Sequence, residues 1–329
     1  MNTRGVQLVG WGAAAPDRKV TNAELESRLD TTAEWIAQRT GIHERRIAGS
    51  TETTASLAAD AVRAALNRAN LAVSDIDLLI VATSTPEQLM PHTGAFVGEM
   101  LGTSCASFDL NTACSGFVYA LVVGASMVAS GMNTVVVVGA ETMSRITDQE
   151  DRSTAILFGD GAGAIVLTTH GGPSALLGYD LGCDGSQTGI LGILAGGSRR
   201  PTSRETLDSN EQFMHMNGQE VFKRAVRAVV ESANATLELC DLTARDLAWF
   251  IPHQANLRII EAVAQRVGIA ESRVIVNLDR FGNTSAASIP MALCEAADDG
   301  RLQPGDRILL SGFGAGLTWA SAIIEWNAA

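Results

Sequence analysis

The sequence has few aromatic residues, few charges and no long apolar run. Of its 329 residues, 5% are aromatic and 18% are charged. No apolar run approaches the about 20 residues that a transmembrane helix needs, and Gln and Gly interrupt the N-terminal stretch VQLVGWGAAA. We therefore expect neither a membrane span nor a signal peptide, and a cytoplasmic location. Hydrophobic residues make up 46% of the chain, which is enough for a large core and predicts a globular α/β protein.

Cysteine and histidine are too few and too scattered for a disulfide framework or a metal site. The five cysteines are odd in number and irregularly spaced among apolar or small residues, so we expect reduced thiols. The chain has neither a CxxC pair nor an HExxH helix, and its five histidines do not cluster. We therefore predict no metal and no cofactor.

The net charge of −12 argues against nucleic acid as a partner, because an acidic protein repels a polyanion at long range. An anionic partner of another kind requires a local basic patch. Either such a patch or ordinary solvated faces would account for the basic residues Arg45, Arg46, Lys223, Arg224, Arg227, Arg258 and Arg266.

The chain contains an internal repeat. The segments DLLIVATSTP (77–86) and DLAWFIPHQA (246–255) both consist of an acidic residue, a strand of the buried type and a polar loop. Their offset is 246 minus 77, or 169 residues. The same offset leads from Cys114 to Asn283, where a strand end is again followed by a helix of small residues. The order and spacing of these elements predict a duplicated β-α-β-α-β unit.

A duplication of this kind predicts two similar halves in one α/β body. We expect residues 1–172 to form the N-terminal half and residues 173–329 the C-terminal half. Each half would contain a mostly parallel sheet, and the halves would pack about a pseudo-twofold axis as α/β/α/β/α layers. Their interface would then gather Cys114 and Asn283 with His253, which follows the apolar strand in WFIPHQAN.

Cys114 is the candidate nucleophile. It stands in FDLNTACSGFVYA, where a strand pattern changes to a helical one and small neighbours leave room for a carbonyl group. A helix N-terminus favours the thiolate, because its dipole and unpaired N–H groups attract negative charge. His253 would supply an imidazole at the carboxyl edge of its sheet. The segment SGFGAGLTWASA leads into a strand, so it predicts a tight turn that presents a backbone N–H as an oxyanion donor.

Three motifs resemble those of the thiolase-like condensing enzymes: NTACSGF with Cys114, IPHQANLRII with His253 and GNTSAAS with Asn283. More specifically, the chain resembles the β-ketoacyl-acyl-carrier-protein synthase III family. The similarity covers nearly the whole chain and includes TTAEWIAQRTGIHERRI, FGDGAGA and GFGAGLTWASA. It implies a thiolase-like duplicated fold, an acyltransferase activity and a homodimer.

The resemblance also implies a reaction. Family members take an acyl group from acyl-CoA onto the cysteine and condense it with malonyl-acyl carrier protein, which releases CO2 and starts fatty acid synthesis. Cys114 would carry the acyl group, while His253 and Asn283 would promote decarboxylation and stabilise the enolate oxygen. The backbone N–H groups of Cys114 and Ala315 would form the oxyanion hole, although many members have glycine at the position of Ala315.

Substrate contacts follow from the same resemblance. Trp35 and Arg152 would stack on the adenine of CoA, and Arg39 and Asn256 would line the CoA and pantetheine tunnel. Met90 falls near the acyl pocket, at a position that is often aromatic in acetyl-selective members. The primer therefore stays open between acetyl, branched and longer acyl groups.

Docking of an acidic carrier protein would use part of the basic set named above. The residues assigned to docking are Lys223, Arg224 and Arg258.

The polar segment GGSRRPTSRETLDSNEQ (196–212) is predicted to be a mobile surface loop near the tunnel mouth.

Other functions compete with condensation. The order Cys, His, Asn also resembles that of a papain-like cysteine hydrolase, because His253 follows Cys114 by 253 minus 114, or 139, residues. The cysteine motif of that family is absent, and a protease does not explain the repeat. An acyltransferase of the same fold that acts on an alcohol or amine stays open, as does a scaffold without activity. The presence of both His253 and Asn283 favours condensation.

Overall fold

A computed structural model describes residues 4–328 of the chain. The strands in this range are β1 (Gly5–Ala14), β2 (Lys19–Thr21), β3 (Glu44–Arg46), β4 (Leu78–Ala82), β5 (Ala106–Leu110), β6 (Thr134–Thr142), β7 (Asp160–His170), β8 (Leu176–Cys183), β9 (Leu191–Ile193), β10 (Met214–Met216), β11 (Trp249–Pro252), β12 (Arg307–Gly314) and β13 (Thr318–Glu325). The α-helices are α1 (Asn22–Glu26), α2 (Ala33–Thr40), α3 (Thr54–Ala69), α4 (Thr93–Leu101), α5 (Gly116–Ala129), α6 (Arg152–Ala155), α7 (Arg204–Asp208), α8 (Gly218–Leu239), α9 (Leu257–Val267), α10 (Leu278–Phe281) and α11 (Ser288–Asp298).

Local sequence explains the central elements. Strand β6 (TVVVVGAET) is buried along its whole length, and its four consecutive valines suit a strand that is covered on both faces. Helix α3 begins where the Thr53 side chain accepts from the Ser56 N–H, and the Ser56 hydroxyl accepts from the Thr53 N–H at 2.8 Å. The helix ends at Asn70, which adopts the left-handed conformation with φ 52°.

Two larger sheets form the body of the fold. The first has the strand order β1-β7-β6-β4-β5, and the second has the order β8-β13-β12-β11. Strand β4 is parallel to β5 and β6, and β11 is parallel to β12. Strands β1, β7, β8 and β13 are antiparallel to their neighbours. The prediction of mostly parallel sheets thus holds for β4, β5 and β6 in the first sheet and for β11 and β12 in the second, because β7 and β13 each turn back beside the strand that precedes them.

The elements stack as helices, sheet, helices, sheet, helices. Helix α3 covers the outer face of the first sheet, where Val62 packs in one cluster with Val136. Helices α5 and α11 lie between the sheets, and their side chains Phe117 and Leu293 share a core with Ile80. Helices α8 and α9 cover the outer face of the second sheet. This α/β/α/β/α architecture confirms the predicted fold class.

Equivalent turns mark the duplication. A 3-10 turn, Ala113–Ser115, leads into α5, and a second one, Ser285–Ala287, leads into α11. Both start in the left-handed region, with φ 50° at Ala113 and φ 48° at Ser285. The two halves therefore present matching helix starts to each other across the middle layer.

The turns also correct the register of the repeat. A Cβ on Gly312 would contact Cys114, and a Cβ on Gly139 would contact Ala286, so each turn packs on a bare glycine of the opposite sheet. Cys114 thus corresponds to Ala286, at an offset of 286 minus 114, or 172 residues. The predicted pairing of Cys114 with Asn283 is wrong by three residues, because small insertions separate the halves and a gap-free comparison ignores them.

Between the two larger sheets, β7 ends at His170 and β8 begins at Leu176. The division of the chain at residue 172 stays a prediction.

None of the helices in the described range is both long and apolar enough to cross a bilayer. Within residues 4–328 there is also no group of three or more His, Cys, Asp or Glu side chains that could hold a metal ion.

Candidate active site

Cys114 lies on a tight turn between β5 and α5, within the 3-10 turn Ala113–Ser115. The turn packs closely on β12 of the other half, since a Cβ at Gly314 would lie only 2.5 Å from the Cys114 nitrogen. The Ser115 hydroxyl donates to the Thr318 hydroxyl at 2.9 Å, which ties the turn to β13. Both halves of the chain therefore fix the position of the thiol.

The Cys114 thiol keeps its proton in the resting site. Burial raises its pKa to about 12, a hydrogen bond with the Ser285 side chain opposes this rise, and the charge of Glu141 adds to it. Cys114 precedes the first residue of α5 by two positions. The preference of the helix start for the thiolate acts against this loss of hydration and stays a prediction. Acylation must include removal of this proton.

His253 follows directly after β11 and is buried. Its backbone N–H donates to the Ser311 carbonyl at 2.8 Å, which continues the parallel ladder by one residue. Its ring Nδ1 lies 2.6 Å from the Ser288 hydroxyl, which also accepts from the Gln254 N–H at 3.4 Å. When the hydroxyl donates to Nδ1, the ring proton lies on Nε2, and this is the tautomer that we assign to His253. Burial lowers the pKa of His253 to about 3, so the imidazole is neutral.

Asn283 is fixed by its backbone and by one end of its side chain. Its N–H donates to the Leu157 carbonyl at 2.8 Å, and its carbonyl accepts from the Gly159 N–H at 3.0 Å. Its side-chain oxygen accepts from the Ser285 N–H at 2.9 Å. The NH2 group is therefore the end of the amide that is left to donate to a ligand.

One cavity of about 1360 Å³ brings these groups together. It is bordered by the carboxyl ends of β11 and β12, the starts of α8 and α9, and the small sheet of β9 and β10. The residues assigned from the sequence that line it are Trp35, Arg39, Cys114, His253, Asn256, Arg258, Asn283 and Ala315. Its walls combine an apolar surface with a few polar groups, as is typical of a small-molecule site.

Comparison with known proteins identifies the family. The family model for 3-oxoacyl-[acyl-carrier-protein (ACP)] synthase III matches residues 108–185, and the model for its C-terminal part matches residues 237–326. A β-ketoacyl-[acyl-carrier-protein] synthase III from Roseiflexus castenholzii is 50% identical over 323 residues and covers 98% of each chain. The chain belongs to the β-ketoacyl-[acyl-carrier-protein] synthase III family.

Further synthase III chains agree with this assignment. A relative from Caldanaerobacter subterraneus is 47% identical over 322 residues, which cover 97% of each chain. The crystal structure of the synthase III from Aquifex aeolicus superimposes with a TM-score of 0.90 at 40% identity, over 98% of this chain and all of the other. The priming β-ketosynthase of the R1128 polyketide pathway reaches a TM-score of 0.92 at 37% identity, over 99% and 98% of the two chains.

At the mouth of the cavity of this synthase III chain, Trp35 is 43% exposed. The Arg152 guanidinium lies 5.3 Å from the centre of the Trp35 ring and donates to the Asp30 carbonyl at 2.6 Å. Arg152 does not line the cavity. Asn256 caps α9 by accepting from the backbone of Arg258 and donates to the Arg39 carbonyl at 3.2 Å. The aromatic ring and the arginine thus lie together, and their contact with the adenine of CoA stays a prediction. Asn256 joins α2 to α9.

Some of the predicted site residues lie elsewhere. Met90 is 83% exposed and does not line the cavity of its own chain, so its place beside an acyl pocket stays a prediction. Of the docking residues, Arg258 borders the cavity at the start of α9, whereas Lys223 and Arg224 lie on α8 outside it. Arg224 is paired with Glu220 of the same helix at 3.3 Å.

Arg45 is not a surface residue. Its side chain is buried, donates to Asn22 Oδ1 at 2.9 Å and donates to the Ile156 carbonyl at 2.8 Å. Burial also lowers the pKa of its guanidinium to about 10. Arg45 therefore joins the start of α1 to the segment before β7, and its place in a basic surface patch is wrong.

The segment 196–212 is an ordered projection beside the cavity. It contains α7, which starts with a capping box at Ser203, and Arg200 pairs with Glu211. Strands β9 and β10 form its stem, and both line the cavity. The predicted position near the mouth agrees with the structure, but the segment has more regular structure than the expected loop.

Three polar residues in or beside the site were not identified from the sequence: Ser285, Ser288 and Glu141. The two serines lie in GNTSAAS, just after Asn283, where they resemble ordinary helix-start residues. Glu141 is the second-last residue of the valine-rich strand β6, and an acidic residue within a fully buried strand is the signal that could have identified it.

Proposed function

We propose that this chain condenses an acyl-CoA primer with malonyl-acyl carrier protein to give 3-oxoacyl-acyl carrier protein, CoA and CO2. The reaction would initiate fatty acid synthesis or related polyketide synthesis. The observation that carries this proposal is that Cys114, His253 and Asn283 line the same cavity. The relatives that are 44–50% identical and bear the synthase III name support the same reaction.

The first half-reaction is acylation of Cys114. The thiol loses its proton, the sulfur attacks the thioester carbonyl, and CoA leaves as its thiolate, which is then protonated. Backbone N–H groups of Cys114 and Ala315, both on the cavity wall, are suited to stabilise the developing oxyanion. The product of this step is an acyl-enzyme intermediate.

The second half-reaction is decarboxylation of the malonyl group. Nε2–H of the neutral His253 and the NH2 group of Asn283 are the donors that would bind the malonyl thioester oxygen. Negative charge develops on this oxygen as CO2 leaves, so donors held in place by Ser288 and Ser285 lower the barrier. The resulting carbanion attacks the acyl-enzyme carbonyl, and the Cys114 sulfur leaves and regains a proton.

The pair of His253 and Asn283 is also what favours condensation over acyl transfer to an alcohol or amine. Such an acceptor already carries a nucleophile and needs no enolate stabilisation. A base able to take its proton would serve it better than an imidazole whose pKa is lowered to about 3.

We further propose a homodimer in the cytoplasm with no cofactor besides the two substrates. Leu89 and Met90 are 86% and 83% exposed, and a second subunit would cover this apolar loop. Met90 can bound an acyl pocket only from such a subunit, since it does not line the cavity of its own chain. Acyl carrier protein and acyl-CoA are the proposed partners, with docking near Lys223, Arg224 and Arg258. The halves 1–172 and 173–329 are the proposed domains.

Intact-protein mass spectrometry tests the acylation step. After exposure to a panel of acyl-CoAs, we expect one acyl group on the protein, no adduct on Cys114→Ala, and an unchanged adduct on the control Cys294→Ala. The chain lengths that react identify the primer. An adduct on another cysteine would contradict the assignment of Cys114, and acyl transfer without CO2 release from malonyl carrier protein would contradict condensation.

A further inference from the structure

The turn between β12 and β13 carries one of the two backbone donors proposed for the oxyanion hole. It consists of residues 315–317 and lies between the strand ends Gly314 and Thr318. Glycine stands on both sides of Ala315, and glycine has the least restricted backbone of all amino acids. An oxyanion hole works because its donors are fixed before the reaction begins. Specific contacts must therefore hold Ala315 in place.

Backbone contacts fix the two ends of this turn. At its start, Gly314 packs on the Cys114 turn, since an added Cβ would lie 2.5 Å from the Cys114 nitrogen. At its end, the Leu317 N–H donates to the Asp184 carbonyl at 2.9 Å, and the Asp184 N–H donates to the Leu317 carbonyl at 2.8 Å. These contacts do not reach the peptide group between Ala315 and Gly316.

The Thr318 hydroxyl does contact this peptide group. Thr318 begins β13, is buried at 7% exposure and borders the cavity. Its Oγ1 lies 3.1 Å from the Ala315 carbonyl oxygen and 2.9 Å from the Thr112 carbonyl oxygen. A carbonyl oxygen only accepts hydrogen bonds, so Thr318 is the donor in both contacts and shares its hydroxyl proton between them. That proton is thus used within the protein rather than for a ligand.

The second of these carbonyls belongs to the Cys114 turn. The Thr112 carbonyl accepts from the Ser115 N–H at 3.3 Å, and this bond closes the 3-10 turn that contains Cys114. The Ser115 hydroxyl donates to Thr318 Oγ1 at 2.9 Å, which adds a second contact to the same turn. One oxygen atom of Thr318 is therefore bonded to both segments that carry the proposed oxyanion donors.

We propose that the Thr318 hydroxyl sets the spacing of the two oxyanion donors by binding the Cys114 turn and the Ala315 turn at one atom. This inference rests on the proposed function. In acylation, the Cys114 sulfur bonds to the thioester carbon, negative charge develops on the carbonyl oxygen, and the carbon–sulfur bond to CoA then breaks. The thiol proton leaves with CoA as its thiol. Thr318 acts on this step through Ala315 and Cys114, so it is a positioning residue.

A role in the fold alone, or in placing the thiol, predicts a different result. Iodoacetamide alkylates a thiol at a saturated carbon with loss of iodide and a proton, and no oxyanion forms. A misplaced thiol or a disordered turn slows this alkylation as well as acylation. Misplaced oxyanion donors slow acylation alone, because they act only on the charge that develops on a carbonyl oxygen. The ratio of the two rates therefore separates these roles.

The experiment compares the wild type with Thr318→Val, which has nearly the same shape without the hydroxyl, and with Thr318→Ser, which keeps the hydroxyl. Valine places a methyl group beside two carbonyl oxygens that have lost a donor, so the Ala315 turn should move. Thr236→Val is the matched control, because Thr236 is also buried and its hydroxyl donates to the Ser232 carbonyl at 2.8 Å, but it does not line the cavity.

Three single-turnover rates at Cys114 are measured by intact mass at one pH. The first is acylation by the acyl-CoA that the wild type accepts, at several concentrations. The second is acylation by p-nitrophenyl acetate, an activated ester that releases p-nitrophenol and forms an oxyanion without the CoA tunnel. The third is alkylation by iodoacetamide.

We expect the maximal rate of acylation to fall by about 10- to 100-fold in Thr318→Val with both acyl donors, because a donor moved out of place loses much of its effect. The acyl-CoA concentration that gives half the maximal rate should change little, since the loss falls on the transition state. In Thr318→Ser and in the control, acylation should stay within about threefold of the wild type. Alkylation should stay within about twofold in every variant.

Acylation of Thr318→Val within about twofold of the wild type overturns the proposal, and so does an equal fall of acylation and alkylation. Should Thr318→Val not fold, Thr318→Ala decides, since it removes the hydroxyl without placing a methyl group beside the carbonyls. A wild type that reacts with the ester but with no acyl-CoA contradicts the proposed function, and the ester rates still test Thr318. A wild type that neither donor acylates contradicts both.

Discussion

At the scale of single residues, the imidazole of His253 illustrates how burial selects one chemical role. A histidine with its usual pKa would be partly protonated near neutral pH and could exchange protons. Burial lowers the pKa of His253 to about 3, and the Ser288 hydroxyl bonds Nδ1 at 2.6 Å. The ring is thereby reduced to a neutral hydrogen-bond donor through Nε2, which is what stabilisation of an enolate oxygen requires.

Ser288→Ala tests this role. Without the hydroxyl, Nδ1 has no donor, and the other tautomer would turn a lone pair to the malonyl oxygen. Leaving one such group unsatisfied typically costs about 1–3 kcal/mol, so decarboxylation should fall by about 10-fold or more. Release of CO2 from malonyl carrier protein measures this step, and intact mass after exposure to acyl-CoA measures acylation, which should be unchanged.

Ser232→Ala is the control for that substitution, since Ser232 is a buried serine on α8 that does not line the cavity. Both half-reactions should proceed normally in it. An equal loss of both half-reactions in Ser288→Ala would show that Ser288 supports the fold rather than the imidazole.

The same pKa shift affects stability. Below pH 6.5 the unfolded chain binds a proton at His253, whereas the folded chain does so only near pH 3, so lowering the pH favours unfolding. Between about pH 6 and pH 4 this group contributes a slope of up to about 1.4 kcal/mol per pH unit. The free energy of unfolding of His253→Gln, measured with urea at several pH values, should fall less steeply than that of the wild type. Equal slopes would contradict the buried neutral ring.

At the scale of elements, the contact between β12 and the Cys114 turn determines where the nucleophile lies. Strand β12 has glycine at 312 and 314 on the face that meets the turn, and a side chain at either position would collide with backbone atoms. This explains why a glycine-rich strand packs beside the cysteine. The two halves approach within backbone contact because these residues have no side chain.

Gly314→Ala tests this packing. Its Cβ would lie 2.5 Å from the Cys114 nitrogen, so the turn must shift, and we expect a loss of about 1–3 kcal/mol in the free energy of unfolding together with slower acylation. Gly185→Ala is the control, because an added Cβ there meets no atom within 4 Å. Urea unfolding and intact mass measure the two effects. A Gly314→Ala variant with unchanged stability and normal acylation would show that the Cys114 turn can shift to make room for the added Cβ at little cost in free energy.

The sequence predicts elements better than it predicts their precise pairing. The strand-to-helix change at Cys114 and the strand end at His253 are visible because each depends on local pattern. The antiparallel strands β1, β7, β8 and β13 and the offset of 172 at the turns depend on contacts between distant segments, which local sequence pattern does not reveal. Arg45 is a further example, since its burial depends on Asn22 and Ile156 rather than on its neighbours in the sequence.

At the scale of the whole molecule, charge is unevenly distributed. The net charge is −12, yet Arg39 and Arg258 border the mouth of the cavity. Arg224 and Arg227 on α8 are each paired with a glutamate of the same helix, which reduces their attraction for a partner. An acidic carrier protein would be repelled by most of the surface and attracted at this mouth, so its docking should depend on a few side chains and on ionic strength.

Arg258→Glu tests the docking surface. A charge at the rim mainly steers association, so the apparent KM for malonyl carrier protein should rise by about 10-fold, while acylation by free acyl-CoA changes less. Added salt should raise the KM of the wild type toward that of the variant, because it screens the same attraction. Arg63→Glu is the control, since Arg63 is an exposed residue of α3 that does not line the cavity. Because both substrates pass the same mouth but only one brings a protein surface, an equal loss for both would place Arg258 in the CoA tunnel and remove it from the carrier-protein interface.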